Sequence, residues 1–194
     1  ELMTATMIHL KTKYGLTPDD VEIIIEPDNT VDWRGDEIGH AIVALGPRLA
    51  AAELPLPAVI APSTAQARRA LGYFATLAAV DGAAAQVATL SYHRYEGAPG
   101  PTLLNMLRAT ARAAGVSTAM LEYVDGDVDD LFDDLTEADA TAGQLFGINV
   151  ARVAFKRSAY LRNFVYTFAE LLSNRLSRDL IIKAMNGHVN DYEL

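Results

Sequence analysis

Short runs of strand-forming residues alternate with apolar stripes at helical spacing along this chain, at a nearly constant interval, and that repeat limits the possible folds severely. Val21 to Ile25, Ala58 to Ala61, Val87 to Tyr92 and Thr118 to Tyr123 are the strand-like runs. A helical stripe precedes each of them. Met3, Met7, Leu10 and Tyr14 share one helix face, with Gly15 as the stop and Pro18 just beyond. Ile38, Ala41, Ile42, Leu45 and Leu49 form the second stripe, Ala67, Ala70, Leu71, Phe74 and Leu77 the third, and Leu103, Leu107, Thr110, Ala111 and Ala114 the fourth.

Strands that are apolar almost throughout are covered on both faces, which is the pattern of a parallel sheet, and regular crossovers build either an open doubly wound sheet or a closed barrel. The repeat of about 30 residues is that of a TIM (β/α)8-type barrel, which needs roughly 240 residues to close. With 194 residues the chain is too short to close alone. The expectation is therefore an α/β fold of parallel βα repeats forming an incomplete barrel, about strands 4 to 7 or 8, with earlier units missing on the N-terminal side. Ile148 to Phe155 alternates as a further strand would, and Leu161, Phe164, Val165, Phe168, Leu172 and Leu176 form a helical stripe. Residues 1–155 are accordingly expected as the barrel part and 156–194 as a helical segment packed on the same domain. The chain opens at Glu1 directly in a helical pattern, as a fragment or processed product would.

Composition removes several function classes. The chain is 51% apolar and 21% charged, so a folded core is expected rather than disorder. It has no cysteine, which excludes disulfides, thiolate metal sites and cysteine nucleophiles. No apolar run approaches the roughly 20 residues of a membrane span, and the N-terminus lacks a secretory signal pattern. The net charge of −9 is concentrated in Asp125 to Asp139, which holds eight acids and no base. A nearly neutral remainder offers no basic stripe for phosphates, so nucleic acid is not expected as a partner. The run DGDVDDLFDDLTEAD alternates acids like a calcium loop at Asp125, Asp127 and Asp129. Asp130 nevertheless stands where that loop needs Gly, and Thr136 where it needs Glu, so a solvated acidic loop is expected.

Chemistry is concentrated at the strand ends. Glu26, in VEIIIEPDN, and Glu122, in STAMLEYVDG, each follow a strand-like run and open a polar loop. Carboxylates at the C-terminal ends of parallel strands line a cleft above a rigid core. Desolvation and a neighbouring carboxylate can hold one member of such a pair as acid and the other as base. Glycoside cleavage uses that pairing. Each glutamate also has a plainer alternative: Glu26 could cap the next helix or pair with Arg34, and Glu122 could belong to a structural ion pair.

The motifs EPDN and LEY, three βα steps apart, resemble those of the large clan of retaining (β/α)8 glycoside hydrolases. The resemblance implies Glu26 as acid/base at the end of strand four and Glu122 as nucleophile at the end of strand seven. It further implies that His93, in SYHRY, lies beside the nucleophile, and that Asp28, Asn29, Trp33, Ser63 and Tyr95 surround the substrate. Ile25 departs from the pattern, since members usually have Asn before the acid/base. The implied function is a glycosidase cleaving a β-linked polysaccharide or oligosaccharide by double displacement, without cofactor or metal, secreted or extracellular. Two other expectations are kept: a metal-assisted barrel enzyme, and a carbohydrate-binding barrel fragment without turnover. His9, His40 and His188 lack ligand spacing.

Overall fold

The strand-helix alternation is present in the computed structural model, which describes residues 1–96, 99–123 and 128–145. Its elements are α1 (Leu2–Tyr14), β1 (Asp20–Glu22), α2 (Gly35–Ala51), β2 (Ala58–Thr64), α3 (Ala67–Ala78), β3 (Val87–His93), α4 (Pro101–Ala114), β4 (Ser117–Tyr123), α5 (Val128–Glu137) and β5 (Ala140–Leu145). The strands form one sheet in the order β1-β2-β3-β4-β5, and every neighbouring pair is parallel. Each crossover advances by one strand in the same direction. Right-handed crossovers of that kind bring successive helices to one face of the sheet.

The helical stripes are the surfaces that meet this face. Ile38, Ile42, Phe74, Leu77, Leu104 and Leu107 are buried in one cluster with Val59, Leu90, Tyr92 and Met120 of the strands. Burying an aliphatic side chain of this size contributes about 2 kcal/mol, which lets the sheet-helix contact outweigh weak local propensities. Two glycines permit the helices to approach closely. A Cβ on Gly35 would run into the Tyr73 carbonyl and the Thr76 hydroxyl, and one on Gly39 would lie 2.9 Å from the Leu77 carbonyl. Gly15 ends α1 in the left-handed region at φ 67°, as expected of a C-terminal glycine.

Several elements depart from the sequence reading. The strand expected over Val21 to Ile25 is only Asp20–Glu22, and Ile25 is 51% exposed. Among the described residues β1 bonds to a neighbour on one side only, and the chain leaves the sheet so that the Glu26 N–H can reach the Ser63 carbonyl at 2.9 Å. Strand β2 does not stop at Pro62. Its register passes from Pro62 opposite Ser91 to Thr64 opposite Tyr92, leaving Ser63 bulged at φ 52°.

The acidic run is not simply a loop. From Val128 to Glu137 it is helix α5, with Phe132 and Asp134 buried and Asp129 and Asp130 in its first turn, where the helix dipole favours negative charge. A fifth strand, Ala140–Leu145, follows. Its small residues gave no hydrophobic alternation to detect. The strand expected at Ile148 to Phe155 and the helical segment over 156–194 lie outside the described residues.

A buried polar cluster fastens α5 to the sheet. The Tyr92 hydroxyl donates to Asp134 Oδ1 at 2.6 Å, and Arg94 Nη1 donates to Asp134 Oδ2 at 2.9 Å. Arg94 also donates to the Asp130 carbonyl at 2.6 Å and to its carboxylate at 2.8 Å. Burial pushes the Asp134 carboxyl up from its ordinary range, while Tyr92 and Arg94 pull against that shift. Removing one member of such a cluster leaves the other buried and uncompensated. Arg94→Met should therefore destabilise the protein by about 3 to 5 kcal/mol in urea unfolding, whereas adding Asp134→Leu should restore much of the loss. Gly35→Ala should lower stability by about 1 to 3 kcal/mol, since the added methyl has no room against α3.

Candidate functional site

The chain ends of β1, β2, β3 and β4 converge on one polar cluster. Glu26 precedes a short 3-10 turn, Pro27–Asn29, and has left-handed backbone at φ 50°. Its Oε1 lies 2.9 Å from His93 Nδ1, while its Oε2 accepts from Asn29 Nδ2 at 2.7 Å. His93, at the end of β3, is only 1% exposed. Glu122, on β4, sits directly opposite His93 in the sheet register.

A bulge produces that last placement. Tyr92 pairs with Met120, yet His93 pairs with Glu122, so Leu121 is passed over. Strict alternation would have put Leu121 opposite His93. The shifted register brings a Glu26 oxygen, a His93 ring nitrogen and a Glu122 oxygen all within 4.8 Å of one another. The Tyr95 hydroxyl closes the cluster by donating to Glu122 Oε1.

The other expected residues have varied placements. Asp28 accepts from the backbone N–H of Ala65 at 2.7 Å and of Gln66 at 3.1 Å, so its carboxylate clamps the loop after β2. Ser63 is fully buried, donates to Glu22 Oε1 and lies 2.6 Å from the Ser91 hydroxyl. Trp33 is half-buried against the helix-facing core, with its carbonyl accepting from Tyr73 at 3.1 Å. Arg34 pairs with Asp36 at 3.3 Å rather than with Glu26. The pairing of Glu26 with Arg34, one part of its plainer alternative, is thereby corrected, because Arg34 opens α2 and meets the acids of its first turn.

Glu22 and Ser91 were missed by sequence reasoning. Each is a polar residue inside a strand, and that interruption of an apolar run was the available signal. Together with Ser63 they form a hydrogen-bonded row across three strands below the glutamates.

The cluster has a strongly negative character. Burial, the hydrogen bond to Glu122 and then the charges of Glu122 and Glu26 push the Tyr95 phenol well above its ordinary value. What the arrangement offers chemically is a pair of carboxylates, an imidazole and a protonated phenol. Such a set attracts a cation or a dense hydrogen-bond donor.

No family model matches the chain. A stretch of 52 residues is 58% identical to the HTH-type transcriptional regulator CysB of Burkholderia cenocepacia, covering 27% of this chain and 17% of that regulator. The chain thus spans less than a fifth of the length of the curated relative it matches. The finding overturns the expectation built on EPDN and LEY. Those motifs are a few residues each, and they specify acids at strand ends, which parallel sheets of many functions possess. The glycosidase assignment, the metal-assisted enzyme and the carbohydrate-binding fragment are all withdrawn. So are the carbohydrate partner, the exclusion of nucleic acid and the secreted or extracellular location. Among the described residues, no helix is long and apolar enough to cross a membrane.

Because the folded protein holds the Tyr95 proton more tightly than the unfolded chain does, this group's stabilisation is complete below pH ~10 and is lost as pH rises further. Difference absorbance between wild type and Tyr95→Phe should show a phenol that ionises above the ordinary tyrosine range. Glu122→Gln should bring that titration down.

Proposed function

We propose that this chain takes part in transcription regulation, with its α/β unit as the part that binds a small polar effector at the Glu26, His93 and Glu122 cleft. The observation that carries the reading is the 58% identity over 52 residues to a helix-turn-helix regulator. The cleft adds independent support, since polar groups from different strand ends converge where parallel sheets commonly receive ligands. DNA is the partner of the whole protein in this reading, and its place of work is the cytoplasm. With a net charge of −9, the chain itself is a poor phosphate binder. Contact with DNA therefore falls to another part of the protein, of the helix-turn-helix kind named in the relative.

The geometry also suggests how an effector would be felt elsewhere. His93 lines the cleft, and the next residue, Arg94, grips α5 through Asp130 and Asp134. A ligand seated between His93 and Glu122 would bear on the strand end that carries Arg94. In the same reading the singly wound sheet is an arc of a (β/α)8-type array, and the division into residues 1–155 and 156–194 is retained.

Transcript profiling of a strain with the gene disrupted tests the proposal. A coherent set of transcripts should change several-fold, return to normal on complementation with the wild type, and fail to return with a combined Glu26→Gln and Glu122→Gln variant. An unchanged transcript profile on disruption would overturn the regulatory reading.

A further inference from the structure

Two carboxylates and one imidazole are also a donor set for a metal ion. Glu26, His93 and Glu122 each offer one ligand atom, and those atoms lie within 4.8 Å of one another. Oxygen or nitrogen ligands at roughly 2.0 to 2.2 Å from a common ion lie up to about 4 Å apart, so an adjustment below about 1 Å completes the site. Glu122 is only partly buried and can make that adjustment, whereas His93 is buried and fixed.

Other groups hold the donors in place. The Asn29 amide orients Glu26, and the Tyr95 hydroxyl orients Glu122. Outer hydrogen bonds of this kind set the direction of metal-binding carboxylates. No arginine or lysine forms an ion pair with either glutamate among the described residues. The adjacent cation, Arg94, is committed to Asp130 and Asp134. Among the described residues the cleft thus gathers two carboxylates without an arginine or lysine to balance them.

Donor type selects the ion. Calcium and magnesium favour all-oxygen cages, while a mixed imidazole and carboxylate set suits zinc, manganese or ferrous iron. We propose that Glu26, His93 and Glu122 bind one divalent transition-metal ion, with water completing its coordination. This goes beyond the regulatory reading and does not require it, because it concerns binding alone.

The test uses the full chain after chelation and dialysis, titrated calorimetrically with zinc chloride and followed by visible absorption with cobalt chloride. One ion per chain is expected, with a cobalt spectrum characteristic of nitrogen and oxygen ligands. Glu26→Gln, His93→Asn and Glu122→Gln should each weaken binding by 10-fold or more. Zinc should raise the melting temperature of the wild type and not that of Glu122→Gln, whose own melting curve without metal shows whether it folds. Asp125→Asn with Asp127→Asn should leave the affinity unchanged. Absence of binding, or affinity that survives the triad variants but disappears with the Asp125 and Asp127 variant, overturns the proposal. Transcript changes on gene disruption without any metal binding would remove this site while leaving the regulatory reading in place.

Discussion

The end of β3 carries the interaction on which the rest of the site depends. Side chains alternate across a strand, so Tyr92 and Arg94 project one way and His93 the other. Tyr92 and Arg94 share the buried carboxylate of Asp134 and thereby hold α5 against the sheet. His93 meets Glu26 from the opposite side. Three consecutive residues therefore join the structural anchor to the cleft. Both contacts are anchored on the same strand end.

Irregular backbone makes the polar cluster possible. A regular five-stranded parallel sheet would continue the alternation of Met120 and Leu121 and direct an apolar residue toward His93. The bulge before Glu122 replaces it with a carboxylate, and the bulge at Ser63 places a hydroxyl between Glu22 and Ser91. Glu26 adopts left-handed backbone for a related reason: its N–H bonds to Ser63 while its side chain turns to His93. Bulges commonly serve to re-aim a side chain beside a functional cleft.

The strand-end glutamates were legible in the sequence, and the fold does bring them together with His93. Their role was not legible. EPDN and LEY describe only the local exit of a strand, and the same exits occur in proteins of many functions. The stretch shared with a transcription regulator carries information of another kind, because 58% identity over 52 residues engages far more positions than two short motifs. Trp33 illustrates the same limit at the level of one residue. Its type placed it among the residues expected around a substrate, and what the fold adds is its packing against the core and the hydrogen bond its carbonyl accepts from Tyr73 of α3.

The sequence by itself determined the alternation of helix and strand, the parallel sheet and the faces that Ile38, Ile42, Phe74 and Leu107 bury, because periodicity records which side of an element avoids water. It also marked Glu26, Glu122 and His93 as polar interruptions at strand ends. Tertiary structure alone decided that β1 stops at Glu22, that the acidic run becomes a helix, and that Ala140–Leu145 joins the sheet beside β4. Those outcomes rest on partners distant along the chain. Ser63 draws Glu26 out of the sheet, Arg94 and Tyr92 neutralise the buried side of α5, and β4 supplies the hydrogen bonds that a run of small residues cannot specify for itself.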